Sequence, residues 1–331
     1  MKNKFTKVSV VLLMLMTLTL SLMSGCKPEE AKVTYPEKVV TIICPWAAGG
    51  GTDALARFMA DQFQKKLGQP FVVVNKTGGN GATGHTAGAL AKPDGYTITL
   101  CTIELANMHW MGLTDLTIDN FDYVMQLNQD PASVCVKADA PWATLKELLD
   151  DIKNNSGKYM FSASSTGGIW DLSRIGMLNA AGLAVDSVKW IPTTGAAPSI
   201  TELLGGHVDV YTGSLPEAKS QIDANLLRPL AIMADERDPN FPNVPTLKEL
   251  RIDWSSGTWR GFVVPKGTPK EIIDLLYNTA LEITNSSEFK DFMSKRGFSI
   301  QIKNPEEFAK FAKEQDSTWK TILELAGYMQ S

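Results

Sequence analysis

Three short loops rich in glycine and hydroxyl residues have the residue types and spacing of a ligand site. They are PWAAGGGTD at residues 45–53, SSTGG at 164–168 and TTGA at 193–196. Glycines let backbone N–H groups turn toward a guest without a Cβ in the way. A helix that begins directly after such a loop adds unpaired N–H groups and the positive end of its dipole. The loops therefore predict a site for an anion.

The three loops contain no basic side chain. A further glycine loop, NKTGGNGATG, contains one, Lys76. No GxxxxGK[ST] motif occurs, so a nucleoside triphosphate is not the expected guest. Amides, hydroxyls and helix ends suit one or a few carboxylates, and we expect a small carboxylate ligand. The candidate ligand-binding residues are Trp46, Ala48, Gly49, Gly50, Gly51, Thr52, Asp53, Thr102, Ser164, Ser165, Thr166, Gly167, Thr194, Gly195, Ala196 and Ser214.

Two residues of the first loop have alternative interpretations. The negative charge of Asp53 would repel an anion, so its expected task is to cap the following helix, with Arg57 as its i,i+4 partner. Trp46 either forms a flat apolar wall for the carbon skeleton of a ligand or packs within the loop.

Motifs for catalysis and for metal binding are weak. GNGATG at residues 79–84 is a GxGxxG, but it follows the second predicted strand after five intervening residues, and export would separate it from cytoplasmic NAD. No GxSxG occurs, and the three histidines, His85, His109 and His207, have no metal-ligand spacing. We therefore expect no catalytic residue, metal or cofactor, with a dinucleotide enzyme as the minor alternative.

The charge distribution and the first residues bear on location and partners. Net charge is −4 and no basic cluster occurs in the body of the chain, so no nucleic-acid partner is expected. Residues 1–25 have the three lysines and apolar run of a signal peptide, and LMSGC resembles a bacterial lipobox ending at Cys26. The sequence predicts lipidation of Cys26, a tether over 26–35, and anchoring at the outer face of the cytoplasmic membrane or in the periplasm. A plain secreted protein or an uncleaved anchor is the alternative.

Strand, loop and helix patterns alternate through the remaining chain. Such alternation predicts parallel βαβ units, and the length predicts two α/β lobes. We expect the first lobe at 36–127, the second at 128–235, and a return to the first at 236–331, with a hinge able to close on a ligand. Cys44 and Cys101 end two predicted strands. They are either core residues, which is favoured, or a disulfide.

Several segments together resemble one family. CPWAAGGGTDALAR, VVVNKTGGNGATG, PDGYTITL, IPTTGAAPSITELLGGHVDV, RDPNFPNVPTLKEL and WRGFVVPKGTPKEI, in this order, resemble the substrate-binding receptors of tripartite tricarboxylate transporters, the TctC or Bug family. The resemblance implies a type II periplasmic-binding-protein fold, with two lobes joined by a hinge, and a monomer that delivers its ligand to membrane subunits of the transporter. It also implies a carboxylate held by loop amides, hydroxyls and waters rather than by an arginine.

The chain departs from the family pattern near the expected ligand. It has Asp171-Leu172 where His-Leu is common, and Pro192-Thr193-Thr194-Gly195 where Pro-Tyr-Lys-Gly is common. Asp171 is either a solvated helix residue or an inward-pointing carboxylate that would favour a guest with an amino group. A ligand-sensing receptor on the same scaffold is the alternative to transport.

Overall fold

Ten strands form two five-stranded sheets in the computed structural model, which describes residues 34–330. The strands are β1 (Val40–Cys44), β2 (Phe71–Asn75), β3 (Thr97–Thr102), β4 (Phe121–Pro131), β5 (Ser133–Lys137), β6 (Met160–Ser164), β7 (Lys189–Thr193), β8 (Val210–Tyr211), β9 (Leu227–Ile232) and β10 (Gly257–Pro265). The first sheet has the order β2-β1-β3-β10-β4, and the second has the order β7-β6-β8-β5-β9.

Helices follow most of the parallel strands. They are α1 (Gly51–Leu67), α2 (Ala82–Ala89), α3 (Leu145–Asn154), α4 (Ile169–Ala180), α5 (Ala196–Leu204), α6 (Leu215–Asp223), α7 (Lys270–Asn285), α8 (Ser287–Arg296) and α9 (Pro305–Ala326). The ends of α1 and α9 follow local chemistry. Helix α1 ends at Gly68 in the left-handed conformation, and α9 begins with Pro305 after an Asn304 capping box.

Both sheets combine parallel and antiparallel pairs. Strand β1 pairs in parallel with β2 and β3, and β6 pairs in parallel with β7 and β8. The late strand β10 lies antiparallel between β3 and β4 in the first sheet. The predicted α/β class with two lobes is confirmed. Among residues 34–330 no helix has the length and apolar character needed to cross a membrane.

The chain passes between the sheets at two places that lie side by side. Strand β4 ends at Pro131 and β5 begins at Ser133, so Ala132 alone separates the two sheets there. The amide of Ala132 donates to Ser256 O at 2.8 Å, just before β10. Met233 N in turn donates to Ala132 O at 2.7 Å. These bonds connect the outgoing and returning segments.

Three cysteines are buried in the described part of the chain, and all are free thiols. Cys44 and Cys101 lie on neighbouring strands, yet each thiol donates to a carbonyl, Trp46 O at 3.6 Å and Gly261 O at 3.2 Å. Burial raises the pKa of Cys44 to about 11. Both residues are core residues here, which is the favoured alternative of the sequence analysis.

The GxGxxG segment forms a short turn, Gly79–Gly81, followed by α2. A Cβ on Gly84 would lie 2.6 Å from Pro45 Cα and 2.7 Å from Lys76 O. His85 accepts from Thr102 N at 3.2 Å through Nε2, so its Nδ1 carries the proton and donates to Gly81 O at 2.9 Å. Burial lowers the pKa of His85 to about 4, which keeps the ring neutral. The glycines here serve close packing beside β1 and β3.

We expect Gly84→Ala to destabilise the protein by about 1–3 kcal/mol, because the new methyl group meets backbone atoms that cannot yield cheaply. Urea unfolding followed by circular dichroism measures the change. Gly50→Ala is the matched control, since its Cβ meets only Ala47 O at 3.6 Å and its φ of −77° suits any residue. Equal stability of the two variants would contradict the packing explanation.

Candidate ligand-binding cleft

A cavity of about 340 Å³ lies between loops of the first sheet and helix N-termini beyond the second. Its walls combine backbone amides, hydroxyls, aromatic rings and three charged side chains. The lining residues are Trp46, Ala47, Ala48, Gly49, Gly50, Gly51, Thr52, Thr102, Glu104, Ser164, Ile169, Trp170, Thr194, Gly195, Ala196, Ala197, Pro198, Glu217, Thr258 and Arg260. Within residues 34–330, no three His, Cys, Asp or Glu side chains come together as a metal site.

Four helices begin at this cavity: α1, α4, α5 and α6. Their N-cap residues are Gly50, Gly168, Gly195 and Ser214, and none accepts a first-turn N–H through its side chain. Each terminus stabilises a nearby anion by about 0.3–1 kcal/mol, and by up to about 2 kcal/mol when partly buried. Convergence of the four gives the cavity a positive electrostatic bias.

Asp53 holds the first glycine loop in place from a position outside the cavity lining. Its Oδ2 accepts from Gly49 N at 2.9 Å and from Arg57 Nε at 3.0 Å, and its Oδ1 accepts from Asn75 Nδ2 at 2.8 Å. Burial alone would raise the pKa of Asp53, but these hydrogen bonds and the Arg57 charge hold it below its ordinary value. The predicted pairing with Arg57 is therefore observed, whereas the predicted capping is not: Gly50 is the N-cap, and Asp53 lies in the first turn and accepts from the amide of Gly49 before it.

Arg260 of β10 is the charged residue that the sequence analysis missed in this wall. Its Nη1 donates to Asp130 Oδ2 at 2.7 Å, and its Nε donates to Thr52 Oγ1 at 2.9 Å. The guanidinium also lies over the ring of Phe298, at 5.4 Å from the centroid. Arg260 is 2% exposed and Asp130 is 0% exposed. The resemblance implies a carboxylate held without an arginine, yet an arginine lies in the lining of this cavity.

Nη2 of Arg260 takes no part in these hydrogen bonds. It lies 3.2 Å from the point that a Cβ on Gly51 would occupy. The absence of a side chain at Gly51 therefore brings the guanidinium against the first turn of α1. The positively charged guanidinium of Arg260 therefore lies beside the first-turn N–H groups of α1, which have no partner within the helix.

Two carboxyl groups, Glu104 and Glu217, also line the cavity. Glu104 follows β3 and lies at the end of a chain of donors, in which Trp46 Nε1 donates to Thr102 Oγ1 at 3.1 Å and that hydroxyl donates to Glu104. Trp46 thus lines the cavity and is held to the end of β3 by this hydrogen bond. Burial raises the pKa of both glutamates.

The structure brings most candidate residues of the sequence analysis to the cavity, and five lie elsewhere. Asp53, Ser165, Thr166, Gly167 and Ser214 do not line it. Ser214 donates to Glu217 Oε2 at 3.2 Å, behind the wall. Ser165 has a φ of 51°, and its amide donates to Thr193 O at 3.1 Å, which joins two loops outside the cavity.

Asp171 fits neither expectation stated for it. It is 0% exposed, and Arg174 Nη2 donates to its Oδ1 at 2.7 Å. Its Oδ2 accepts from Gly167 N at 3.0 Å and from Tyr328 Oη at 2.9 Å. The carboxylate is neither solvated nor directed at the cavity, because both of its oxygens accept hydrogen bonds from residues of α4, the loop before it and the C-terminal segment.

Arg260 had one signal in the sequence. TWRGFVV reads as a buried strand, and a charge in such a run needs a partner or a function. Glu104, Trp170 and Glu217 carried no comparable signal, because their position at the cavity depends on how distant strands are ordered. In the sequence, each of these three residues simply follows a strand or a loop, and many surface residues have the same kind of position.

Comparisons with known proteins identify the family. The model of the tripartite tricarboxylate transporter family receptor, TctC, matches residues 55–328. The chain belongs to the TctC family. This TctC-family chain is 36% identical to a TctC solute-binding protein from Polaromonas, over 88% of this chain and 99% of the other, with a TM-score of 0.71.

Two further relatives agree. The periplasmic binding protein BugD has a TM-score of 0.80 and 29% identity, with 90% of this chain and all of the other covered. Protein BugT of Bordetella pertussis is 28% identical, over 92% of this chain and 94% of the relative. The TctC-family chain is therefore a periplasmic-type solute-binding protein, and the family implies export from the cytoplasm.

We expect Asp53→Asn to destabilise the protein by about 1–2 kcal/mol at pH 7, because it removes charge-assisted hydrogen bonds to the loop and to Arg57. The folded-state pKa is depressed, so this stability is present above the ordinary value of 3.8 and is lost as pH falls through the lower folded value. Urea unfolding from pH 7 downward checks this.

The conservative control is Asp61→Asn, on an exposed face of the same helix. We expect it to change stability by less than about 0.5 kcal/mol at every pH. A difference between Asp53→Asn and the wild type that widens in acid would contradict the assignment.

Proposed function

We propose that this TctC-family protein captures a small carboxylate in the cleft and delivers it to the membrane subunits of a tripartite tricarboxylate transporter. The observation that carries the proposal is the positive corner formed by the α1 start, the α5 start and Arg260. Gly50 and Gly195 cap the two helices without a side-chain acceptor, and Arg260 Nη2 lies beside Gly51.

The other two helix starts have carboxyl groups within the cavity lining, whereas Asp53, in the first turn of α1, does not line the cavity. Ile169 N, at the start of α4, donates to Glu104 Oε1 at 3.4 Å. Glu217 lies in the first turn of α6. The α1 and α5 termini are therefore the preferred places for an anionic group of a guest.

The expected contacts are distributed over both sides of the cleft. We propose that amides of residue 48, of residues 50–52 and of residues 194–196 hold the carboxylate, with the hydroxyls of Thr52 and Ser164 in support. The rings of Trp46 and Trp170 would cover the carbon skeleton. A micromolar ligand corresponds to about 8 kcal/mol of binding free energy, more than one helix terminus supplies, so both sides must contribute.

Thermal-shift and calorimetric screening of the purified protein tests this proposal. The ligands are di- and tricarboxylates, aromatic acids and amino acids, each of which carries a carboxylate. A bound ligand at 100 times its Kd stabilises the folded protein by about 2.7 kcal/mol. Failure of every carboxylate to stabilise the protein would contradict the proposal.

We expect Gly50→Leu to lower ligand affinity by at least about 100-fold, because the added side chain extends into the open cleft beside the carboxylate position. Gly50→Ala is the matched control and should retain most of the affinity. Isothermal calorimetry measures both, and urea unfolding verifies that both are folded. Equal affinity of the two variants would place the ligand elsewhere.

We further propose that residues 1–25 are removed on export and that a lipid on Cys26 holds the protein at the membrane through the tether 26–35. Cys26 lies outside the described residues, so the support is the sequence pattern around it. Export of the lobes without an anchor is the alternative outcome.

The anchor is tested in a bacterial host by palmitate labelling and detergent phase partition. We expect wild-type protein to incorporate label and enter the detergent phase, because acyl chains add about 0.8 kcal/mol of membrane binding for each buried CH₂. Cys26→Ala should remain unlabelled and aqueous. Labelling of that variant to the same extent would contradict lipidation at Cys26.

A further inference from the structure

The cleft contains more negative groups than a receptor for a simple carboxylate needs. Arg260 is the one cation among its lining residues, and that charge is already paired with Asp130 at 2.7 Å. Glu104 and Glu217 line the same cavity. Neither forms an ion pair with a Lys, Arg or His within the described part of the chain.

Glu104 accepts hydrogen bonds from two groups of the cavity wall. Thr102 Oγ1 already accepts from Trp46 Nε1, so its own hydrogen is directed at Glu104 Oε2. The other oxygen, Oε1, accepts from Ile169 N at 3.4 Å. Both oxygens therefore accept hydrogen bonds, and these favour the ionised form against the burial that raises the pKa of Glu104. Glu104 is 2% exposed, so its charge is held in a poorly solvated place.

Glu217, on the opposite wall, accepts two side-chain hydrogen bonds through a single oxygen. Its Oε2 accepts from Ser214 Oγ at 3.2 Å and from Tyr211 Oη at 3.3 Å. These donors come from the N-cap of α6 and from β8. Tyr211 is fully buried, and burial raises the pKa of Tyr211 as well as that of Glu217.

The cleft thus presents groups of both signs to its guest. The α1 and α5 termini with Arg260 Nη2 suit a carboxylate, and the two glutamates suit a cation that can donate several hydrogen bonds. An ammonium group has three such donors. A guest that carries both groups satisfies every charged element of the wall, whereas a simple dicarboxylate would leave both glutamates without a cationic partner.

We propose that the ligand is a zwitterion of the α-amino acid class, and that Glu104 and Glu217 are the residues that recognise its ammonium group. This inference rests on the proposed function and names the ligand class of the same cleft. The sequence analysis considered a preference for an amino group at Asp171. Because Asp171 accepts hydrogen bonds from Arg174 and Tyr328, we assign that preference to Glu104 and Glu217 instead.

Burial raises the pKa of both glutamates, and this supports a competing arrangement in which they are protonated and donate to a second carboxylate of a guest. The two arrangements differ in the guest they select. A protonated pair prefers a diacid without an amino group, and an ionised pair prefers the corresponding amino acid.

Ligands that differ only in the substituent at one carbon distinguish the ionised glutamates from the protonated ones. The probes are aspartate, malate and succinate, which carry an ammonium, a hydroxyl and a hydrogen there, together with glutamate and glutarate, and alanine and propionate. Isothermal calorimetry at pH 7 gives each Kd. We expect at least one amino acid to bind about tenfold or more tightly than its partner without the amino group.

Substitution of the two carboxyl groups assigns the preference to residues. Glu217→Gln and Glu104→Gln keep the shape and remove the charge, so each should lower the ratio of the two affinities by about fivefold or more while the acid without the amino group binds no worse. Glu202→Gln, on α5 but outside the lining, is the matched control and should leave the ratio unchanged. Urea unfolding without ligand verifies that each variant is folded.

Three outcomes of these binding measurements would each contradict a different statement. Equal or tighter binding of the acids without an amino group overturns the zwitterion inference and leaves the proposed carboxylate function standing. An amino-acid preference unchanged in both Gln variants overturns the assignment to Glu104 and Glu217. Absence of binding by all acids and amino acids contradicts the proposed function itself.

Discussion

The pairing of Arg260 with Asp130 inside the first sheet is the interaction on which the cleft depends. A buried guanidinium requires a partner of opposite charge in good geometry, because removal of either charge from water is costly. Asp130 meets this requirement with help from Asn128 Nδ2 at 2.7 Å and Ser299 N at 3.0 Å. The position of the ion pair therefore fixes β4, β10 and the segment before α9 relative to one another.

The same guanidinium connects the sheet to the ligand site. Its Nε is bound to Thr52 in the first turn of α1, and its Nη2 lies against Gly51. A side chain at Gly51 would push the helix start away from the arginine. One arginine thus anchors two strands and one helix terminus, which explains why a charge is tolerated in a strand whose residues are all buried.

The fold class and the glycine-rich loops that line the cavity could be predicted from the sequence because both are local patterns. Apolar runs of strand length, glycines and helix starts are read directly from neighbouring residues. Arg260, Glu104 and Glu217 could not be placed in this way. They reach the cavity because β10 enters the first sheet between β3 and β4 and because α6 begins opposite that sheet, and both depend on long-range order. Asp171 was misjudged for a related reason, since Tyr328 comes from a segment 157 residues away.

The buried thiols have a practical consequence for spectroscopy. Cys44, Cys101 and Cys135 are shielded within residues 34–330, and burial raises the pKa of each. Thiolate is the reactive form of cysteine, so these side chains react slowly with maleimides. In a chain without Cys26, a single cysteine introduced at the rim of the cleft would then carry an environment-sensitive fluorophore at one defined place, and its emission would report the arrival of a ligand.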